Sequence, residues 1–96
     1  MALIEAAVPI VNTLGLHARP AAEFVKIAAR FRSNVQVRKD ALEVNGKSIM
    51  GMMMLAAECG SSLQLRLEGD DADAMLVALT ALIAAGFGEE LGCQES

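Results

Sequence analysis

Leu63-Gln64-Leu65-Arg66-Leu67-Glu68 is the cleanest alternation in the sequence: three leucines face one way and three polar side chains the other. A strand of that kind has one dry and one wet face, so it belongs to an antiparallel sheet covered on one side only. Cys59-Gly60-Ser61 turns the chain into this strand, and Gly69-Asp70-Asp71 leads out of it into a helix. An Asp at that helix start is placed to accept bonds from free amides. Met75, Leu79, Leu82, Ile83 and Gly86 form the inner stripe of the helix, and Gly86 and Gly88 end it.

Upstream, Leu42 and Val44 alternate around Glu43, and Val35 and Val37 alternate with Gln36 and Arg38. Lys39-Asp40 makes a short turn between them, which predicts a hairpin whose turn type stays open because the usual glycine is missing. Ile4, Ala6, Val8 and Ile10 form a first strand, and Pro9, with no N–H to donate, puts it at a sheet edge. A helix to about Arg32 carries Ala21, Phe24, Val25, Ala28 and Phe31 on one face. A short helix runs from Ser48 to about Leu55. The order is βαββαβα, an α+β arrangement with a four-stranded antiparallel sheet covered on one face by three helices. Other ferredoxin-like split-βαβ domains share that pattern. The domain is expected to span residues 1–88, with 89–96 as a flexible C-terminal tail.

The chain of 96 residues suits one domain, and its core must come from aliphatic side chains and Met, since it has three Phe and no Trp or Tyr. The formal net charge of −4 argues against nucleic-acid binding. Arg19, Lys26, Arg30, Arg32, Arg38, Lys39 and Lys47 nevertheless make the first half basic, a surface suited to an acidic protein partner. One His and two separated cysteines, Cys59 and Cys93, predict no metal centre. No leader pattern or stretch long enough for a membrane span is seen, so a cytoplasmic protein with reduced thiols is expected. Cys59 is expected to fill space near a turn, and Cys93 to lie in the mobile tail.

Gly15-Leu16-His17-Ala18-Arg19-Pro20-Ala21-Ala22 lies where a loop enters the first helix. Pro20 fits a first helical turn. His17 is thereby set beside unpaired amides at the positive end of a helix, a place that welcomes an added anion and favours the neutral, nucleophilic ring. Arg19 can offer its guanidinium to phosphate oxygens. On position alone, a lone His near a helix start is usually a cap or a surface residue.

The full eight-residue string resembles the active-site segment of the HPr family, histidine phosphocarriers of the bacterial phosphoenolpyruvate-dependent phosphotransferase system. Asn45-Gly46-Lys47-Ser48-Ile49-Met50-Gly51 resembles the family's regulatory-serine segment, at the separation from His17 expected there. The resemblance implies an open-faced β-sandwich with sheet order 1-4-2-3. It implies that His17 is phosphorylated on Nδ1 by enzyme I and passes the group to an EIIA-type acceptor, with Arg19 steadying the phosphate. No cofactor is implied, and a monomer is expected. Ser48 is expected to be a helix N-cap and a target of HPr kinase/phosphorylase where the cell has one. Ile49, Met50 and Met53 would form an apolar docking patch ringed by Arg19, Lys26 and Lys47, while Met52 and Met54 share in the core. The competing reading is an HPr-like regulatory binding module acting through protein contacts without histidine phosphotransfer. The sugar-uptake branch and the nitrogen-related NPr branch share the same active segment.

Overall fold

The computed structural model describes residues 2–93. Its elements are β1 (Ala2–Pro9), α1 (Ala18–Ala28), β2 (Asn34–Lys39), β3 (Leu42–Asn45), α2 (Ile49–Met54), β4 (Ser62–Gly69) and α3 (Ala72–Ala84), followed by a 3-10 turn at Gly86–Gly88. The sheet order is β1-β4-β2-β3, antiparallel throughout, with β1 at one edge as Pro9 requires. The alternation in β4 holds: Leu63, Leu65 and Leu67 are buried and Gln64, Arg66 and Glu68 exposed. Register carries that dry row across the sheet. Leu65 pairs with Ala6 and Val37, and Leu67 with Ile4 and Val35. Against this face α1 sets Ala21, Phe24 and Ala28, α2 sets Met52, and α3 sets Met75, Leu79 and Ile83, all fully buried. Each large apolar side chain in that layer contributes about 1.5–3 kcal/mol by leaving water.

The hairpin turn dispenses with glycine because Asp40 takes the left-handed conformation (φ 54°), which a short polar side chain tolerates better than most. Helix α1 ends at Ala28 rather than near Arg32. Arg30 and Phe31 still make tightened turns to Ile27 and Ala28, but the amides of Arg32 and Ser33 go to the Asp71 carboxylate at 2.9 Å each. For the same reason Asp71, though it stands at the N-cap of α3, makes no side-chain cap bond to its own helix. Its carboxylate also accepts from Ser33 Oγ. Ser33 Oγ and the Arg32 amide lead the set of bonds that hold the Asp71 carboxyl well below its ordinary value, at about 2.

The described part of the expected tail, residues 89–93, has a defined place in the structure. It is fastened along the loop that precedes α1. Thr13 N donates to Glu90 O (2.9 Å), Gly92 N donates to Val11 O (2.8 Å), and Thr13 Oγ1 donates to Gly92 O (2.6 Å). Residues 94–96, the rest of that tail, lie outside the described residues. Gly86, Phe87 and Gly88 adopt φ of 64°, 56° and 76°, and this left-handed run turns the chain back on itself after α3. Phe87, which would otherwise avoid that region, is held there by burial in the core. The cysteines need a correction: Cys59 and Cys93 are joined in a disulfide with Cα atoms 5.3 Å apart, rather than lying reduced and separate. The returning strap lays Cys93 over the loop where Gly60 N binds Ile10 O, a proximity that neither strand nor helix periodicity encodes.

Candidate functional site

His17 is the N-cap of α1, in extended conformation (φ −85°, ψ −168°), and no side chain caps the helix. The loop before it is built to deliver the ring there. Gly15 turns at φ +70°, and a Cβ at that position would meet Ala57 O at 2.6 Å, so only glycine lets the chain pass. Leu16 N then pins the loop to Ala57 O at 2.8 Å. Asn12, fully buried, donates from Nδ2 to Gly15 O at 2.8 Å and closes the turn from inside. Beyond His17, the first helical amides have no intrahelical acceptor, and Pro20 in the first turn lacks an N–H altogether.

The returning strap completes the site. Glu89 brings its carboxylate to His17 Nε2, at 3.0 Å from Oε1 and 2.9 Å from Oε2. Arg19 Nε donates to Glu89 Oε2 at 2.8 Å, Arg19 Nη2 donates to Phe87 O at 2.6 Å, and Asn12 Nδ2 donates to Glu89 Oε1 at 3.0 Å. Burial pushes the Glu89 carboxyl up, but the hydrogen bonds from His17, Asn12 and Arg19 outweigh it and leave the group below its ordinary value. Glu89 is therefore a carboxylate at neutral pH, and a carboxylate only accepts. The proton of a neutral His17 ring then sits on Nε2, and the lone pair is left on Nδ1. The side chain is 39% exposed at His17 and 50% at Arg19, against 14% at Glu89. His17 and Arg19 stay reachable while the carboxylate they share is shielded.

Of the residues singled out in the sequence, His17 and Arg19 come together. Ser48 is the N-cap of α2, and its Oγ accepts from Gly51 N at 3.0 Å. Ile49, Met50 and Met53 are exposed on α2, which packs beside α1. Met54 departs from expectation: it is 65% exposed while Met52 is fully buried, because two residues round a helix is more than half a turn. Lys26 lies in the last turn of α1, and Lys47 Nζ is bonded to Phe31 O at 2.8 Å beyond that helix's C-terminal end. Both lysines thus sit far along α1 from His17, and Arg19 alone of the expected ring touches the histidine site. Glu89, Asn12 and Thr13 were not foreseen as site residues, and neither was the exposed Leu14 in the same loop. The glycines flanking Phe87 are the one local signal that the chain doubles back. Among the described residues no cluster of His, Cys, Asp and Glu could hold a metal ion, and no helix is long and apolar enough to cross a membrane.

Comparison with known proteins places the chain in a family. Residues 4–85 match the family described as "PTS HPr component phosphorylation site". The "Phosphocarrier protein HPr" of Treponema pallidum (strain Nichols) is 48% identical over 83 residues, covering 86% of this chain and 94% of that one. That of Neisseria meningitidis (serogroup A, strain Z2491) is 46% identical over 87 residues, covering 91% and 98%. The crystal structure of HPr-C-His from Thermoanaerobacter tengcongensis superposes with a TM-score of 0.87 at 49% identity, covering 92% of this chain and 99% of that one. With a matching fold and an oriented histidine at a helix start, the chain belongs to the HPr family of phosphocarrier proteins of the phosphotransferase system.

Proposed function

We propose that His17 Nδ1 is the phosphoryl acceptor, taking the group from phosphorylated enzyme I and passing it to an EIIA-type acceptor. The observation that carries this is the Glu89 carboxylate on His17 Nε2, which leaves Nδ1 with the lone pair on an exposed ring. That lone pair attacks phosphorus, the donor's P–N bond breaks, and the donor ring keeps the bonding pair. Ring charge that builds as Nδ1 bonds to phosphorus is balanced by Glu89 through Nε2–H, as a carboxylate does for a catalytic imidazole. Arg19 and the free amides at the start of α1 receive the negative charge of the incoming group. The reverse attack by the acceptor regenerates the chain unchanged, so it is a stoichiometric carrier between enzymes and works as a cytoplasmic monomer. Incubation with enzyme I and phosphoenolpyruvate should add one acid-labile phosphate by mass, absent in His17→Ala. An acid-stable phosphate persisting in His17→Ala would overturn the assignment.

Ile49, Met50 and Met53 supply an apolar docking surface, whose flexible Met side chains suit a carrier that must fit two partners in turn. Lys26 and Lys47 mark its far side with positive charge. Ser48 is a regulatory phosphorylation site for an HPr kinase/phosphorylase, because a dianion there would stand at the edge of this surface and repel acidic partners. Ser48→Asp should slow acceptance from enzyme I by roughly tenfold, the scale of a rim charge acting on encounter. Ser48→Asn, an equally good cap without the charge, should not. Equal rates in the two variants would remove the regulatory reading.

A further inference from the structure

The strap that carries Glu89 ends, four residues later, at Cys93. Its hold on the rest of the molecule is modest without the disulfide. Glu90, Leu91, Gly92 and Cys93 are all exposed, and besides the disulfide the strap beyond Glu89 is kept down by backbone bridges to Val11 and Asn12, by bonds from Thr13 and by the Leu91 side chain lying over Gly86. Solvent-exposed bonds of that kind yield little net free energy, and ordering a segment that contains Gly88 and Gly92 costs entropy. A covalent clip at the end of the strap adds to these bonds and raises the share of time it is seated. Cys93 is exposed and Cys59 half-buried, so a thiol can reach the bond.

We infer that Cys59 and Cys93 form a thiol-redox site that controls how firmly residues 89–93 hold Glu89 against His17 and Arg19, so that reduction of the disulfide slows phosphoryl acceptance. The inference rests on His17 being the acceptor. A dithiol reductant supplies two electrons and two protons: the Cys59–Cys93 bond breaks, each sulfur takes up a proton, and the dithiol closes to its own disulfide. With the clip open, Glu89 spends less time on Nε2. The ring proton then also populates Nδ1, which removes the lone pair from the position that must attack phosphorus. Arg19 loses its carboxylate partner at the same moment and keeps only the bond from Nη2 to Phe87 O.

The test compares the oxidised protein with the Cys59→Ser/Cys93→Ser variant, free of added reductant, by two readouts. One is the nitrogen-15 NMR spectrum of the His17 ring, which distinguishes the proton on Nε2 from the proton on Nδ1. The other is the single-turnover rate of phosphoryl acceptance from enzyme I charged with phosphoenolpyruvate. The oxidised protein should show a ring more completely in the Nε2–H form than the serine variant. It should accept about threefold faster, chiefly because Glu89 then balances the charge on the ring and holds Arg19, a free ring already preferring Nε2–H. Repeated in a Glu89→Gln background, the clip should make no difference to either readout, because its effect passes through that carboxylate. Equal rates and equal ring signatures with and without the clip would overturn the inference, and so would faster acceptance in the serine variant. If neither protein takes up phosphate, the assignment of His17 as acceptor falls and this inference with it. Equal uptake in both removes only the inference.

Discussion

Two carboxylates flank α3, and each ties it to an end of α1. Asp71, at the N-cap, gathers the amides of Arg32 and Ser33 and the Ser33 hydroxyl just beyond the end of α1. Glu89, past the C-terminus, gathers His17, Arg19 and Asn12 at or before the start of α1. The topology is alike, but the donors differ in kind. Two of Asp71's three donors are backbone groups that cannot leave without unfolding a turn. All of Glu89's are side chains, and the His17 and Arg19 side chains are substantially exposed and free to swing toward a partner. A carboxylate bonded to main chain is a fastening; one bonded to reachable side chains orients them without locking them, as the proposed transfer requires.

The contrast can be broken from the Asp71 side first, where the expected effect is largest. Asp71→Ala leaves the Arg32 and Ser33 amides without their acceptor and reopens the α1–β2 connection. The thermal midpoint should fall by several degrees, measured by circular dichroism. Phosphoryl acceptance, assayed well below that midpoint, should stay within a factor of two of the parent, since nothing at His17 depends on Asp71. A variant that lost acceptance while keeping its midpoint would show that the two ends of α3 are not separable.

How much of each carboxylate's role was legible in the sequence follows from the same difference in donors. The sheet was readable because burial on one face imposes a period of two, and Leu63, Leu65 and Leu67 display it without interruption. The placement of His17 and Arg19 at the start of a helix is readable because a loop glycine, a proline and a helical apolar face follow one another there. Asp71 was recognised as a helix-start residue, but its carboxylate goes to a loop 38 residues away rather than to its own helix. Local pattern could not distinguish the two, because either acceptor satisfies the same chemistry. Glu89 and Cys93 were read as tail for a related reason. Their partners lie 72 and 34 residues away, and no periodic signal links an irregular strap to an irregular loop. The left-handed turn at Gly86–Gly88 that makes the contact can be seen locally, but not where the chain goes afterwards.

From the Glu89 side, Glu89→Gln keeps the size of the side chain and one acceptor oxygen while removing the charge. The fold should be almost indifferent, with the thermal midpoint changed by about 1 °C or less, because the half-exposed His17 and Arg19 lose a charged partner while the amide oxygen remains to accept from the buried Asn12. Acceptance should fall by roughly five- to tenfold, since an amide no longer compels Nε2 to be the donor and no longer balances the charge that develops on the ring. A stability loss as large as that of Asp71→Ala, with the rate unchanged, would make Glu89 a second fastening and erase the contrast.

The smallest effect is a pH dependence that should belong to the fold and bypass the histidine. Asp71 is lowered from an ordinary 3.8 to about 2 in the folded chain. The unfolded form therefore binds a proton in a range where the folded form does not, and stability rises with pH across that range. The contribution is complete above about pH 5 and is lost as pH falls from near 4 toward 2. Many other carboxyls titrate over the same interval, so the curve of the parent alone would not isolate it. The difference in urea midpoint between the parent and Asp71→Asn does, because the remaining groups titrate alike in both. That difference should be flat from pH 7 to 5 and shrink steadily below 4. If it were constant down to pH 2, the charge on Asp71 would contribute nothing beyond its shape, and the fastening would owe its strength to geometry alone.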